Sequence, residues 1–160
     1  MLASYPSATL TCLRKPKPKF PKTSNLIACK ANMKGLLIRD PWIELILSGK
    51  KSWEMRSKRT HVRGEIALIR AGSGLVVGTA ELADCLPALQ EDELRDSSKF
   101  HQMPAHMLAE VIARAWTTPW VLRNVRQLPE PVRYEHPSGA VTWVGLGDLL
   151  NRALSVISMP

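Results

Sequence analysis

A chain of 160 residues with 45% apolar content and five tryptophans has the material for one cored domain, with or without a tail. It contains no apolar run near the roughly 20 residues that a bilayer-crossing helix needs, so a soluble protein with no membrane partner is expected. The net charge of +8 suggests a polyanionic partner at first sight. Its distribution weakens that inference. Residues 1–32 hold six Lys/Arg and no acid, whereas from Met33 onward sixteen Lys/Arg face fourteen Asp/Glu. A strong non-specific grip on nucleic acid is therefore not implied for the body of the chain, although a local basic patch stays open.

Residues 1–32 form a basic leader. Pro16, Pro18 and Pro21 alternate with lysines, which opposes helix and favours extended, solvated chain. Three readings fit: a disordered arm that touches RNA, an organelle transit peptide, or an extension upstream of a true start at Met33. Cys12, Cys29 and Cys85 are an odd set without paired spacing. They give neither a disulfide framework nor a zinc pattern, and no metal or cofactor is expected.

From Met33 the elements follow one another closely. Gly35 to Arg39 reads as a short apolar strand. Asp40-Pro41 reads as a helix start, with Asp40 as N-cap and Pro41 at the first helical position. Trp42, Leu45 and Ile46 recur at helical spacing, and Gly49 stands where a left-handed residue ends the helix. Ser52 to Arg56 is a strand, and Ser57 to Arg63 a polar, basic loop. Glu65 to Arg70, the turn Ala71–Gly74 and Leu75 to Cys85 make a hairpin, with Gly78 marking a bulge. Pro87 to Arg95 and Pro104 to Trp116 are helical, the second with a stripe of Met107, Leu108, Val111 and Ile112. Trp120 to Leu128 is a strand broken by Pro129 and Pro131, Tyr134 to Gly139 a turn, and Ala140 to Leu146 a final strand. Asp148 caps a short terminal helix. Five or six short strands, a few helices and bulge glycines predict an α+β domain built on a small, partly open β-barrel.

The most informative octet is Gly49-Lys50-Lys51-Ser52-Trp53-Glu54-Met55-Arg56. On a strand, Trp53 and Met55 face one side while Glu54 and Arg56 share the other, beside Lys50 and Lys51. An acid among cations offers an acceptor and several donors to a polar planar ligand. An ordinary salt-bridged surface strand is the competing reading. Arg59, with Lys58, His61 and Arg63, can contact phosphate. His136, held by Pro137, can contact a ligand or carry a proton. Trp42, Trp53, Trp116, Trp120 and Trp143 include candidates for base stacking, with Trp42 and Trp53 better placed for the core. Glu81 and Asp84 are further carboxylates that could join the site.

These residues resemble the ASCH domain, a member of the PUA-like superfamily. Its signature, Gly-x-Lys-x-x-Glu-x-Arg, is matched by Gly49, Lys51, Glu54 and Arg56. The Pro41-Trp42 helix, the strand containing Gly78 and the closing Tyr134, His136-Pro137, Gly139-Ala140 and Trp143 extend the likeness over roughly 33–146. The resemblance implies a PUA-like barrel with flanking helices over residues 33–157, and a cleft, lined by the signature, that binds RNA or a modified nucleoside. Lys50, Lys51, Glu54, Arg56, Arg59 and His136 are then the expected ligand-binding residues. Translation or RNA-processing factors are the expected partners, and the cytoplasm the expected location, or a plastid or mitochondrion if the leader is a transit peptide.

The alternative is a hydrolase acting on RNA or on an acylated nucleoside such as N4-acetylcytidine, with Lys51 and Glu54 as catalytic residues. Small bacterial ASCH amidohydrolases use a signature lysine, a threonine three positions later and a downstream glutamate. Here Lys51 matches the lysine, Glu54 stands in the threonine's place, and Glu81 and Glu110 are the downstream carboxylates at hand.

Overall fold

The computed structural model describes residues 33–147. The leader 1–32 and the helix expected after Asp148 lie outside the described residues. The elements are β1 (Lys34–Ile38), α1 (Trp42–Leu47), β2 (Trp53–Arg56), β3 (Gly64–Arg70), β4 (Leu75–Cys85), α2 (Glu91–Asp96), α3 (Ser98–His101), a 3-10 turn (Ala105–Met107), α4 (Leu108–Ala113), β5 (Thr118–Arg133) and β6 (Trp143–Gly145). Among these described residues no helix is long and apolar enough to cross a membrane.

The six strands form one sheet in the order β2-β5-β4-β3-β1-β6. β1 and β3 run parallel, and every other pairing is antiparallel. The sheet curls so that its two ends approach each other. Trp143 on β6 stacks against Trp120 on β5, with ring centroids 5.4 Å apart. Arg56 on β2 donates to the Leu37 carbonyl of β1 at 2.6 Å. The result is a half-barrel whose open seam runs between β2 and the β1–β6 edge.

Side-chain alternation divides the apolar residues into layers. Leu36, Ile38, Ile66, Leu68, Leu82, Trp120 and Leu122 form the barrel core, closed by Ile43 and Ile46 of α1. Leu37, Ala67, Ile69, Val76 and Val144 point to the other face and form a second cluster. The period of two decides which layer each residue joins. A third cluster joins Met55 of β2 to Leu94, Met103, Leu108 and Val111 of the helical segment.

Four sequence expectations change. Asp40 makes no cap bond; Pro41 occupies the N-cap after a cis peptide. The Asp40 carboxylate instead pairs with Arg70 at 2.6 Å, across the sheet end. β5 is not broken at Pro129 and Pro131 but runs to Arg133. Its partners jump from Gln127↔Gly78 to Val132↔Val76, so both prolines fall within a register shift where no ladder N–H is required. The final strand shortens to Trp143–Gly145. On α4, Leu108 and Val111 are buried but Ile112 is exposed, because a helix of six residues presents a narrow buried stripe.

Candidate functional site

The octet occupies a sharp turn from α1 into β2. Gly49 has φ +75°, the left-handed conformation that an L-residue adopts at a cost. Its amide donates to the Ile46 carbonyl and that of Lys51 to the Leu45 carbonyl, both at 2.9 Å, folding the chain back beneath the helix. Ser52 then donates to the Phe100 carbonyl at 2.9 Å, which ties the start of β2 to α3.

This turn buries Lys51, whose exposure is 2%. Its Nζ donates to the carbonyls of Trp53 (2.7 Å) and His101 (3.0 Å) and lies 3.6 Å from Glu54 Oε2. The Trp42 ring covers it at 5.2 Å. Burial pushes the Lys51 pKa below the ordinary lysine value, and Glu54 draws it back up. Two carbonyl acceptors and a carboxylate around one nitrogen suit the protonated ammonium. Lys51 is a tie between three segments.

Trp53 and Met55 face the helical layer, Trp53 stacking on Phe100 with centroids 4.6 Å apart. Glu54 and Arg56 face the other way. Glu54 pairs in register with Trp120, so the two side chains share a face of the sheet. Arg56 Nη2 lies 3.1 Å from Glu54 Oε1, and the guanidinium sits 5.7 Å from the centre of the Trp120 ring. Arg56 Nε is the buried side-chain nitrogen without a hydrogen-bond partner among the described residues. The Trp120 indole N–H donates to the Lys58 carbonyl at 3.0 Å, drawing the basic loop to the same place. Arg59 follows, exposed, with a 3.5 Å contact from Nη2 to the Cys85 carbonyl.

The structure thus brings Lys51, Glu54 and Arg56 together, with the loop carrying Arg59 held against the same tryptophan. Lys50 is exposed at the turn and makes no ion pair among the described residues. His136 sits elsewhere. It is exposed, its Nδ1 lies 2.9 Å from the Tyr134 hydroxyl, and Tyr134 packs on the second apolar cluster beside Gly74. The extra carboxylates are engaged elsewhere too. Glu81 accepts from Asn124, Asp84 pairs with Arg63, and Glu110 pairs with Arg114.

Three contributors carried no sequence signal. The Leu37 and His101 carbonyls are backbone groups that any residue type would provide. His101 itself is fully buried; its Nδ1 accepts from the Met103 amide at 3.0 Å, and its Nε2 lies 2.8 Å from the Leu94 carbonyl, which assigns the neutral Nε2–H tautomer. Burial and the nearby Lys51 charge hold its pKa below 6.5, against the Leu94 hydrogen bond. A cleft of about 240 Å³ is lined by Arg95, Ser98, His101, Met103, Ala105 and Leu108. Lys51, Glu54 and Arg56 do not line it.

The fold is similar to that of an ASCH protein from Zymomonas mobilis, with a TM-score of 0.63 and 14% identity over 78% of this chain and 94% of that one. A tyrosine-to-phenylalanine variant of that protein gives a TM-score of 0.60 at 15% identity, covering 78% and 97% of the two chains. A serine-to-alanine variant also gives 0.60, at 14% identity, covering 79% and 96%. At such identities the likeness concerns the fold. No curated protein matches the chain. The family model of the ASCH domain matches residues 36–132, from β1 through nearly all of β5. A half-barrel of this topology and a family match over more than half the chain place this protein in the ASCH domain family.

Proposed function

We propose that the domain binds RNA, or a modified nucleoside, where Glu54 and Arg56 meet the loop from Lys58 to Arg63, in a translation or RNA-processing setting. One juxtaposition carries the reading. A half-buried guanidinium lies against Trp120, and the same indole holds the backbone of a loop whose Lys58, Arg59 and Arg63 side chains are exposed. An oriented arginine beside solvated cations is a set of groups with which proteins hold the phosphate backbone of nucleic acid, and the Trp120 indole, 3% exposed, positions them from the core. Membership of the ASCH family supports a role of this general kind.

The hydrolase reading is less well supported. Lys51 is already engaged with two carbonyls and Glu54, so its ammonium has neither a lone pair for attack nor a free path to substrate. Glu54 is held between two cations, with Oε2 facing Lys51 and Oε1 facing Arg56, and its side chain is 9% exposed.

Fluorescence anisotropy with labelled single-stranded RNA tests the proposal. Affinity should fall as salt rises, and Arg59→Gln should weaken binding severalfold while lowering the salt slope by about one. The reading fails if neither RNA nor a panel of nucleosides binds, or if Arg59→Gln binds with the wild-type affinity and salt slope. Turnover of N4-acetylcytidine that disappears in Lys51→Ala would move the domain to the hydrolase class.

A further inference from the structure

We infer that Arg56 is an anion-accepting group and that the ligand reaches it as a phosphate ester: the site takes a nucleotide, or a phosphate of an RNA strand, in preference to a free nucleoside. This rests on the binding role proposed above.

Charge balance is the first argument. Lys51 and Arg56 share a single carboxylate, Glu54, so the cluster carries one excess positive charge. Arg39, Arg59, Arg123, Arg126 and Arg133 are exposed and make no ion pair among the described residues, whereas Arg63 pairs with Asp84, Arg95 with Glu91, Arg114 with Glu110, and Arg70 with both Asp40 and Glu44. Those groups are far more exposed than Lys51 or Glu54, whose side chains are 2% and 9% exposed. An unbalanced cation is costly in a poorly hydrated place unless an anion arrives.

Valence is the second. Lys51 is directed to Trp53, His101 and Glu54, and both Glu54 oxygens face cations, Oε2 toward Lys51 and Oε1 toward Arg56. Lys51 has no free donor and Glu54 is only 9% exposed, so neither is presented to a neutral base edge. Arg56 differs. Its Nη2 holds Leu37 and its Nε is buried without a partner, but Nη1 makes no hydrogen bond among the described residues and the side chain keeps 21% exposure. A guanidinium with unused N–H groups suits the geometry of a phosphate oxygen pair. The third argument is position, because the Trp120–Lys58 hydrogen bond holds the backbone of the loop that carries the exposed Lys58 and Arg59 at the indole on which Arg56 lies.

The test is calorimetric titration of the full chain with cytidine, cytidine 5′-monophosphate, inorganic phosphate and a short single-stranded RNA. The monophosphate should bind at least about tenfold more tightly than cytidine, the ratio set by one charge-assisted bond. Phosphate alone should bind more weakly than the nucleotide yet compete with RNA. Arg56→Lys should erase the preference for the monophosphate. Because Arg56 also bridges β2 and β1, Arg59→Gln, on an exposed side chain, serves as the second variant and should reduce the same preference in part. Equal affinity for cytidine and its monophosphate would overturn the inference while leaving nucleoside binding intact. Phosphate binding as tight as nucleotide binding would overturn the nucleotide assignment. Silence from every ligand would remove the proposed function and this inference together.

Discussion

At the scale of the residue, Lys51 shows how burial changes the meaning of a motif. A lysine beside a glutamate in sequence invites a catalytic reading, but the α1–β2 turn directs its ammonium into a cage of two carbonyls and one carboxylate under Trp42. Removing it would strand both carbonyls and leave Glu54 with Arg56 alone. Lys51→Met should therefore cost about 3 kcal/mol, read as a lower urea midpoint. Unchanged stability would mean that the ammonium is solvated rather than caged. That Glu54 and Arg56 share one face of β2 was legible because strand alternation is local. That His101, fifty residues away, supplies an acceptor was not, because only the packing of α3 on β2 creates that contact.

At the scale of the element, two backbone positions give opposite predictions. Gly78 lies at a register shift of β4, where an added Cβ would stand 2.7 Å from both the Arg126 carbonyl oxygen and Leu47 Cδ2. Gly78→Ala should lose about 1–3 kcal/mol, because the β5 backbone cannot yield as a flexible side chain would. Ala115 ends α4 with φ +53°, its amide bonded to the Ile112 carbonyl and that of Trp116 to the Val111 carbonyl. Ala115→Gly relieves the left-handed alanine and should gain about 0.5–1 kcal/mol. Thermal unfolding separates the two, with midpoints moving in opposite directions. The bulge at Gly78 could be read from sequence. The passage of β5 through Pro129 and Pro131 could not, since it depends on the partner strand skipping register opposite them.

At the scale of the whole molecule, His101 links the helical segment to Lys51. Its Nδ1 must stay unprotonated to accept the Met103 amide, while its own carbonyl holds Lys51. Burial keeps its folded pKa under 6.5, so below about pH 6.5 the unfolded chain takes up a proton that the folded chain refuses. Stability then falls as pH drops from 6.5 toward the folded pKa, by at most about 1.4 kcal/mol per pH unit from this group. Urea unfolding between pH 7.5 and 5 should show this decline. His101→Gln, though less stable at neutral pH, should decline less steeply over that range. A parallel decline in the variant would assign the acid sensitivity to carboxylates instead.

Periodicity and turn chemistry in the sequence set the element types, the hairpin at Ala71–Gly74 and the faces of β2, because those depend on neighbours within a few residues. Closure of the half-barrel belongs to the tertiary structure. The sheet's curl brings Arg56 to Leu37 and Trp143 to Trp120 across an open seam. The packing of α3 and Trp42 around the α1–β2 turn withdraws Lys51 from solvent, and His136 lies apart, beside Tyr134 of the second apolar cluster. Burial and long-range pairing are set by the curvature of the sheet and the packing of helices on it, and no stretch of eight residues encodes that by itself.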